Sequence, residues 1–132
     1  MNNILIVFIG GGLGSLIRYG VSVFIKINFQ FIFPVATLCS NIISCLILAL
    51  AVGVFNDKVM MNPSLKTFIL VGICGGFSTF STFSYETVNL FKEGYPAYAI
   101  ANIVISIGAC IGIIYFITKN FLIILYIIDE LL

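Results

Sequence analysis

The chain has 132 residues, of which 61% are hydrophobic and only 8% charged, with a net charge of +1. A soluble domain carries about a quarter of its residues as Asp, Glu, Lys and Arg, and a chain this short could not hide so much Ile, Leu, Val and Phe from water. Composition therefore excludes a soluble domain, and the small net charge gives no reason to expect nucleic acid as a partner.

The first apolar stretch covers 4–25 and ends at Lys26, Asn28 and Gln30. No positive region precedes it and the chain beyond is equally hydrophobic, so a cleaved leader is not expected. Within it, Gly10-Gly11-Gly12-Leu13-Gly14-Ser15 lowers the side-chain bulk, so another helix backbone can come close. A phosphate-binding loop would need a Lys-Ser/Thr pair that is missing, and no strand precedes the glycines. Arg18 is the only arginine. It serves either as a topology anchor or as an anion-attracting group at a vestibule.

The second stretch covers 32–55 and contains Asn41, with Thr37 and Ser44 one turn away on either side. An amide inside a bilayer must find partners, either as interhelical glue or as a donor lining a pore. The polar loop Asn56-Asp57-Lys58 follows.

The third stretch, 65–91, holds the strongest pattern: Gly75-Gly76-Phe77-Ser78-Thr79-Phe80-Ser81-Thr82-Phe83-Ser84. The Phe-Ser-Thr unit recurs every three residues, which stacks Phe80 near Phe83 and Thr79 near Thr82 on a helix. The Gly pair beside hydroxyl residues predicts an interrupted helix, whose carbonyls and half-helix ends can hold an ion near mid-membrane. A packing seam of hydroxyls bonded back to the backbone is the rival reading. Glu86 follows one turn after Thr82 and Phe83 and is either functional or a buried partner for a donor.

The fourth stretch, 97–117, carries Asn102 and Ser106 on one face and Gly108 and Gly112 on another. The hydrophobic tail 121–132 includes an apolar piece too short to span, expected at the interface or frayed.

Each of the four stretches reaches the roughly 20 residues a helical span needs, whereas four strands could not close a barrel. The fold class is thus all-α integral membrane, one transmembrane domain over 1–132, with both termini on one side. Lys58, Lys66 and Lys119 fall on that side; Lys26, Lys92 and, by snorkelling, Arg18 fall on the other. Such a balance means either weak topology signals or a chain that inserts both ways and pairs antiparallel.

Cys39, Cys45, Cys74 and Cys110 lack C-x-x-C spacing and there is no His, so they read as small buried side chains and not as zinc ligands. No nucleophile has a matched base, so an enzyme is not expected. A conduit fits better. Four helices cannot enclose a pore with lipid outside, so the chain should oligomerise, with a homodimer of eight helices as the smallest solution. The competing class is a structural membrane subunit that transports nothing.

Three ordered motifs carry a resemblance: Gly11-Gly12-Leu13-Gly14-Ser15-Leu16-Ile17-Arg18-Tyr19, Thr37-Leu38-Cys39-Ser40-Asn41, and the run from Gly75 through Ser84 to Glu86. Together the chain resembles the CrcB/Fluc family of fluoride ion channels over 4–119. The resemblance implies an antiparallel, dual-topology homodimer in the cell inner (plasma) membrane, with two fluoride pathways and passive export of cytoplasmic fluoride. It implies a central structural Na+ held by the carbonyls of Gly75 and Ser78 from each copy. It further implies that Phe80 and Phe83 line the pathway with Asn41 as donor, and that Ser81 and Thr82 belong to an adjoining polar track. Arg18 would draw anions into the vestibule, and Glu86 would be structural or pore-associated. The chain departs from the family pattern at Ala36 and Ser44, where Gly is common, at Ser78, where Thr is usual, and at Cys110 and Ile114, which make span four less polar. Another small-ion transporter, coupled to protons through Glu86, is the alternative.

Overall fold

A computed structural model describes residues 2–54 and 62–131. Helix α1 covers Asn3–Asn28 and α2 covers Val35–Val54. The third span is built from α3 (Pro63–Thr67), a π-helical stretch (Phe68–Ile73), α4 (Cys74–Phe77) and α5 (Phe80–Lys92). Helix α6 covers Pro96–Leu131. Among the described residues four helices are long and apolar enough to cross a membrane, as expected. The loop expected at Asn56-Asp57-Lys58 lies outside the described residues.

Local chemistry sets the ends. Asn62 accepts from Ser64 N at 2.9 Å and Pro63 opens α3, the usual pairing of a polar cap with a proline that has no N–H to lose. At the end of α5, Gly94 takes φ +84, and Tyr95 N donates to Leu90 O at 2.8 Å while Gly94 N donates to Phe91 O at 3.3 Å. This closing pair of bonds needs a left-handed residue, which glycine supplies without strain.

The spans pack as two parallel pairs that run opposite to each other. In the first pair, glycines of α1 meet glycines of the third span. A Cβ on Gly10 would lie 2.8 Å from Phe68 O and 2.9 Å from the Gly72 Cα, and one on Gly14 would lie 2.8 Å from Phe77 N. Backbones at that distance gain dispersion contacts, which lipid-soluble helices need because lipid removes the hydrophobic drive between them. In the second pair, α2 lies along α6, with Phe33 near Tyr98 at one end and Gly53 against Phe121 at the other. The core is small: Ile6, Phe77 and Ala49 are fully buried, while Phe8, Leu16 and Val104 point outward.

The third helix is interrupted as expected: the break falls at Ser78 and Thr79, both extended, just after Gly75-Gly76, which stay helical in α4. Gly76 is needed for its small size: a Cβ there would strike the backbone of Gly11. The tail, expected at the interface or frayed, continues α6 to Leu131. No Gly or Pro stands between Gly112 and the end to stop it, and Thr118 bonds back to Ile114 O at 2.6 Å.

Candidate functional site: the break in the third span

An interrupted helix leaves donors and acceptors to be satisfied inside the membrane. Here the side chains of α2 meet much of that need. Thr79 N donates to Asn41 Oδ1 at 2.8 Å, and Asn41 Nδ2 donates to Thr79 O at 3.4 Å. One amide side chain thus pairs with both polar groups of one peptide-bearing residue, as a neighbouring strand would. Its second amide hydrogen is left for another acceptor. One turn further along α2, buried Ser44 donates to Cys74 O at 3.0 Å, an oxygen that also accepts from Ser78 N at 3.0 Å and Ser78 Oγ at 2.9 Å. From the other side, Ser15 on α1 donates to Gly76 O at 3.4 Å.

Thr79 then restarts the helix. Its hydroxyl accepts from Thr82 N at 3.3 Å, donates to Thr82 Oγ1 at 3.0 Å and lies 3.3 Å from Ser81 Oγ. The three hydroxyls form one cluster at the N-terminus of α5, where helix N–H groups carry partial positive charge.

These detours free two carbonyls. In an unbroken helix Thr79 N would bond Gly75 O, but it goes to Asn41; Thr82 N would bond Ser78 O, but it goes to Thr79 Oγ1. Gly75 is exposed on the chain's outer surface and Ser78 is half-buried. A cavity of about 180 Å³ lined by Ser44, Cys74, Gly75 and Ser78 opens beside them.

The residues singled out in the sequence divide among cavities. Asn41, Phe80 and Phe83 share one of about 290 Å³ with Cys45, Ser106 and Cys110. The two rings sit 5.7 Å apart at 38°, Phe83 buried and Phe80 77% exposed, so most of Phe80 faces outward from the chain. Arg18 and Thr82 share a second cavity, of about 190 Å³, with Ser15, Thr37 and Thr79. Glu86 belongs to a third, of about 210 Å³, at the membrane end with Lys26, Asn89 and Glu93. Glu86 Oε2 is buried without a partner. Ser81 is exposed beside the break.

Residues outside the expected set complete the scaffold. Thr79 is the hub of the break, and the spacing Thr79-x-x-Thr82 before a helix was its signal. Between α5 and α6, Ser106 donates to Asn102 Oδ1 at 3.1 Å, Asn102 Nδ2 to Thr87 Oγ1 at 2.9 Å, and Thr87 to Phe83 O at 2.7 Å. All three side chains are buried. The shared face of Asn102 and Ser106 was legible; Thr87, four residues after Phe83, was not marked by any motif.

Residues 5–117 match the family model described as CrcB-like protein, Camphor Resistance (CrcB). A protein of Shewanella piezotolerans called fluoride-specific ion channel FluC is 39% identical over 117 residues, covering 87% of this chain and 92% of its own. Proteins of the same name from Clostridium perfringens (39% over 104 residues, 79% and 81% covered) and Ruminiclostridium cellulolyticum (41% over 112, 84% and 85%) are similar in the same way. On a match spanning all four membrane-crossing helices and the break between α4 and α5, the chain belongs to the CrcB family.

Proposed function

We propose that the chain is a fluoride-selective channel in the cell inner membrane that lets cytoplasmic fluoride leave down its gradient. One observation carries this reading: the cavity that meets the break in the third span combines the Phe80 and Phe83 rings with the Asn41 amide. The relatives named as fluoride-specific channels support it.

Fluoride is small and tightly hydrated, so a narrow path must replace its water with fixed donors. Aromatic rings are positive at their edges and can approach an anion there. Asn41 has an amide hydrogen to spare, and Ser81 and Thr82 bring hydroxyls at the positive end of α5. Arg18 concentrates anions at the entrance to the neighbouring cavity. Glu86 shares its cavity with Lys26 and Asn89 and holds the shape of the outer end. Nothing in this route consumes a chemical co-substrate, so the flux is passive.

The working unit is an antiparallel homodimer of chains inserted in both orientations. The balance of basic residues, Arg18 included, supports this, and so does the outer surface at the break. Gly75, Phe80, Ser81 and Thr82 are exposed on a single chain. Freed carbonyls and hydroxyls facing lipid cost several kcal/mol per unsatisfied group, so a second copy must cover them.

The Gly75 and Ser78 carbonyls fit a sodium ion, being hard oxygens whose helical donors are diverted to Asn41 and Thr79. Those carbonyls, one pair from each copy, would hold Na+, which when bound supplies the positive charge that satisfies them.

Efflux from sodium-containing liposomes without ATP tests the proposal, with fluoride and chloride measured side by side. Rapid fluoride loss with negligible chloride loss supports it. No fluoride loss from assembled dimers overturns it.

A further inference from the structure

Cys45 on α2 and Cys110 on α6 are neighbours across the seam between the two helices, facing one cavity. Both are free, both are half-buried, and both line the cavity that holds Phe80 and Phe83. Contacts on either side of them, Phe33 with Tyr98 and Gly53 with Phe121, fix the register of the two helices. The thiols are therefore held as a pair by two rigid elements and do not depend on a loop to bring them together.

Their chemistry is selective. Among the described residues no group of three or more His, Cys, Asp or Glu side chains is placed to hold a metal. A tetrahedral zinc ion or an oxygen-liganded calcium ion therefore lacks its ligand set here. Soft thiolates select soft cations, and a d10 ion of that type is satisfied by two sulfurs in a line. A cavity of about 290 Å³ has room for one.

We propose that Cys45 and Cys110 form a two-thiolate site for a soft d10 cation, and that its occupation closes the passage beside Phe80 and Phe83. With Hg²⁺ the reaction is substitution without redox: two S–H bonds break, two Hg–S bonds form, and two protons leave. The closing half of this proposal rests on the fluoride-channel reading; the binding half does not.

The test uses the full chain and Hg²⁺ in chloride-free buffer. Intact mass should show one Hg²⁺ retained per chain against a monothiol wash, with two protons lost. Cys45→Ser and Cys110→Ser should each abolish retention, while Cys39→Ser should keep it. In liposomes, Hg²⁺ should lower fluoride efflux by about tenfold or more in the unmodified chain and in Cys39→Ser, reversibly with a dithiol, and leave the other two variants unchanged. A variant-free check uses phenylarsine oxide, which joins two thiols with release of one water; peptide mapping should place the bridge between Cys45 and Cys110. Retention of Hg²⁺ by both serine variants, or a bridge mapped to Cys39 or Cys74, overturns the site. Retention with unchanged efflux overturns closure alone. A chain that passes no fluoride yet holds Hg²⁺ at this pair supports the site and removes the channel reading instead.

Discussion

Asn41 grips Thr79 by both backbone groups, accepting from its N–H at 2.8 Å and donating to its C=O at 3.4 Å. A side chain from one helix thereby takes the place of the missing helical turn in another. Removing it leaves the N–H and C=O of Thr79 without their partner. Asn41→Ala should destabilise the protein by about 1–3 kcal/mol, more than Asn41→Asp, which keeps the acceptor for the shorter bond. Thermal unfolding in detergent, followed by helicity, measures both.

The glycines of α1 are not equivalent. A Cβ at Gly14 has no room against Ile73 and Phe77, whereas one at Gly12 meets nothing within 4 Å. Gly14→Ala should therefore lower thermal stability by about 1–3 kcal/mol through overpacking. Gly12→Ala should leave the folded chain within about 0.5 kcal/mol of the parent. Midpoints of thermal unfolding for the two variants give the comparison.

The buried chain from Ser106 through Asn102 and Thr87 to Phe83 should behave as one unit. Thr87→Val strands the Asn102 amide at a cost of about 1–3 kcal/mol, and Asn102→Leu strands less. Combined, the two substitutions should cost clearly less than their sum, with a coupling of about 0.5–3 kcal/mol in a double-mutant cycle. Additive losses would show that Thr87 and Asn102 act separately.

Phe80 and Phe83 should separate flux from stability. Phe83 is buried and Phe80 is 77% exposed on the single chain. Leucine at either position should reduce fluoride efflux by about tenfold or more, because both rings belong to the proposed route. Alanine at Phe83 should in addition cost about 3–5 kcal/mol of stability from the cavity it leaves. Parallel efflux and unfolding assays on the three variants resolve the two effects.

Sodium removal gives a separate outcome. If the Gly75 and Ser78 carbonyls of two copies hold Na+, protein prepared with a bulky organic cation in its place should lose thermal stability and fluoride efflux together. Restoring sodium should return both, with the stability gain growing with sodium concentration as binding linkage requires. Melting curves across a sodium series supply the measurement.

Much of this arrangement was legible in the residues. Hydropathy and polar punctuation mark four spans because the bilayer filters for length and charge so strictly. Gly10, Gly14, Gly72 and Gly76 mark the seam between α1 and the third span, since small residues there have few other uses. The interruption was legible but its exact place was not. Gly76 serves close packing against Gly11, and the chain opens two residues later, at Ser78 and Thr79, where a hydrogen-bonding partner waits on α2. Such a partner lies 38 residues away from Thr79 and leaves no local trace. The same holds for Cys45 and Cys110, whose pairing depends on the register of two helices distant in sequence. The continuation of α6 through Thr118-Lys119-Asn120 was hidden by treating polarity as a stop, although polar residues continue a helix wherever it emerges into water.

The break is fastened by Asn41 and Ser44, which belong to α2 and not to the span that bends. Taken alone in a bilayer, the segment from Pro63 to Lys92 satisfies its amides best as a straight rod. Its bend should then form at docking, when α2 offers replacement bonds, so that the inserted span would be an ordinary hydrophobic helix until the bundle assembles. A chain arrested before that assembly step would be fully inserted, correctly threaded and still unable to conduct.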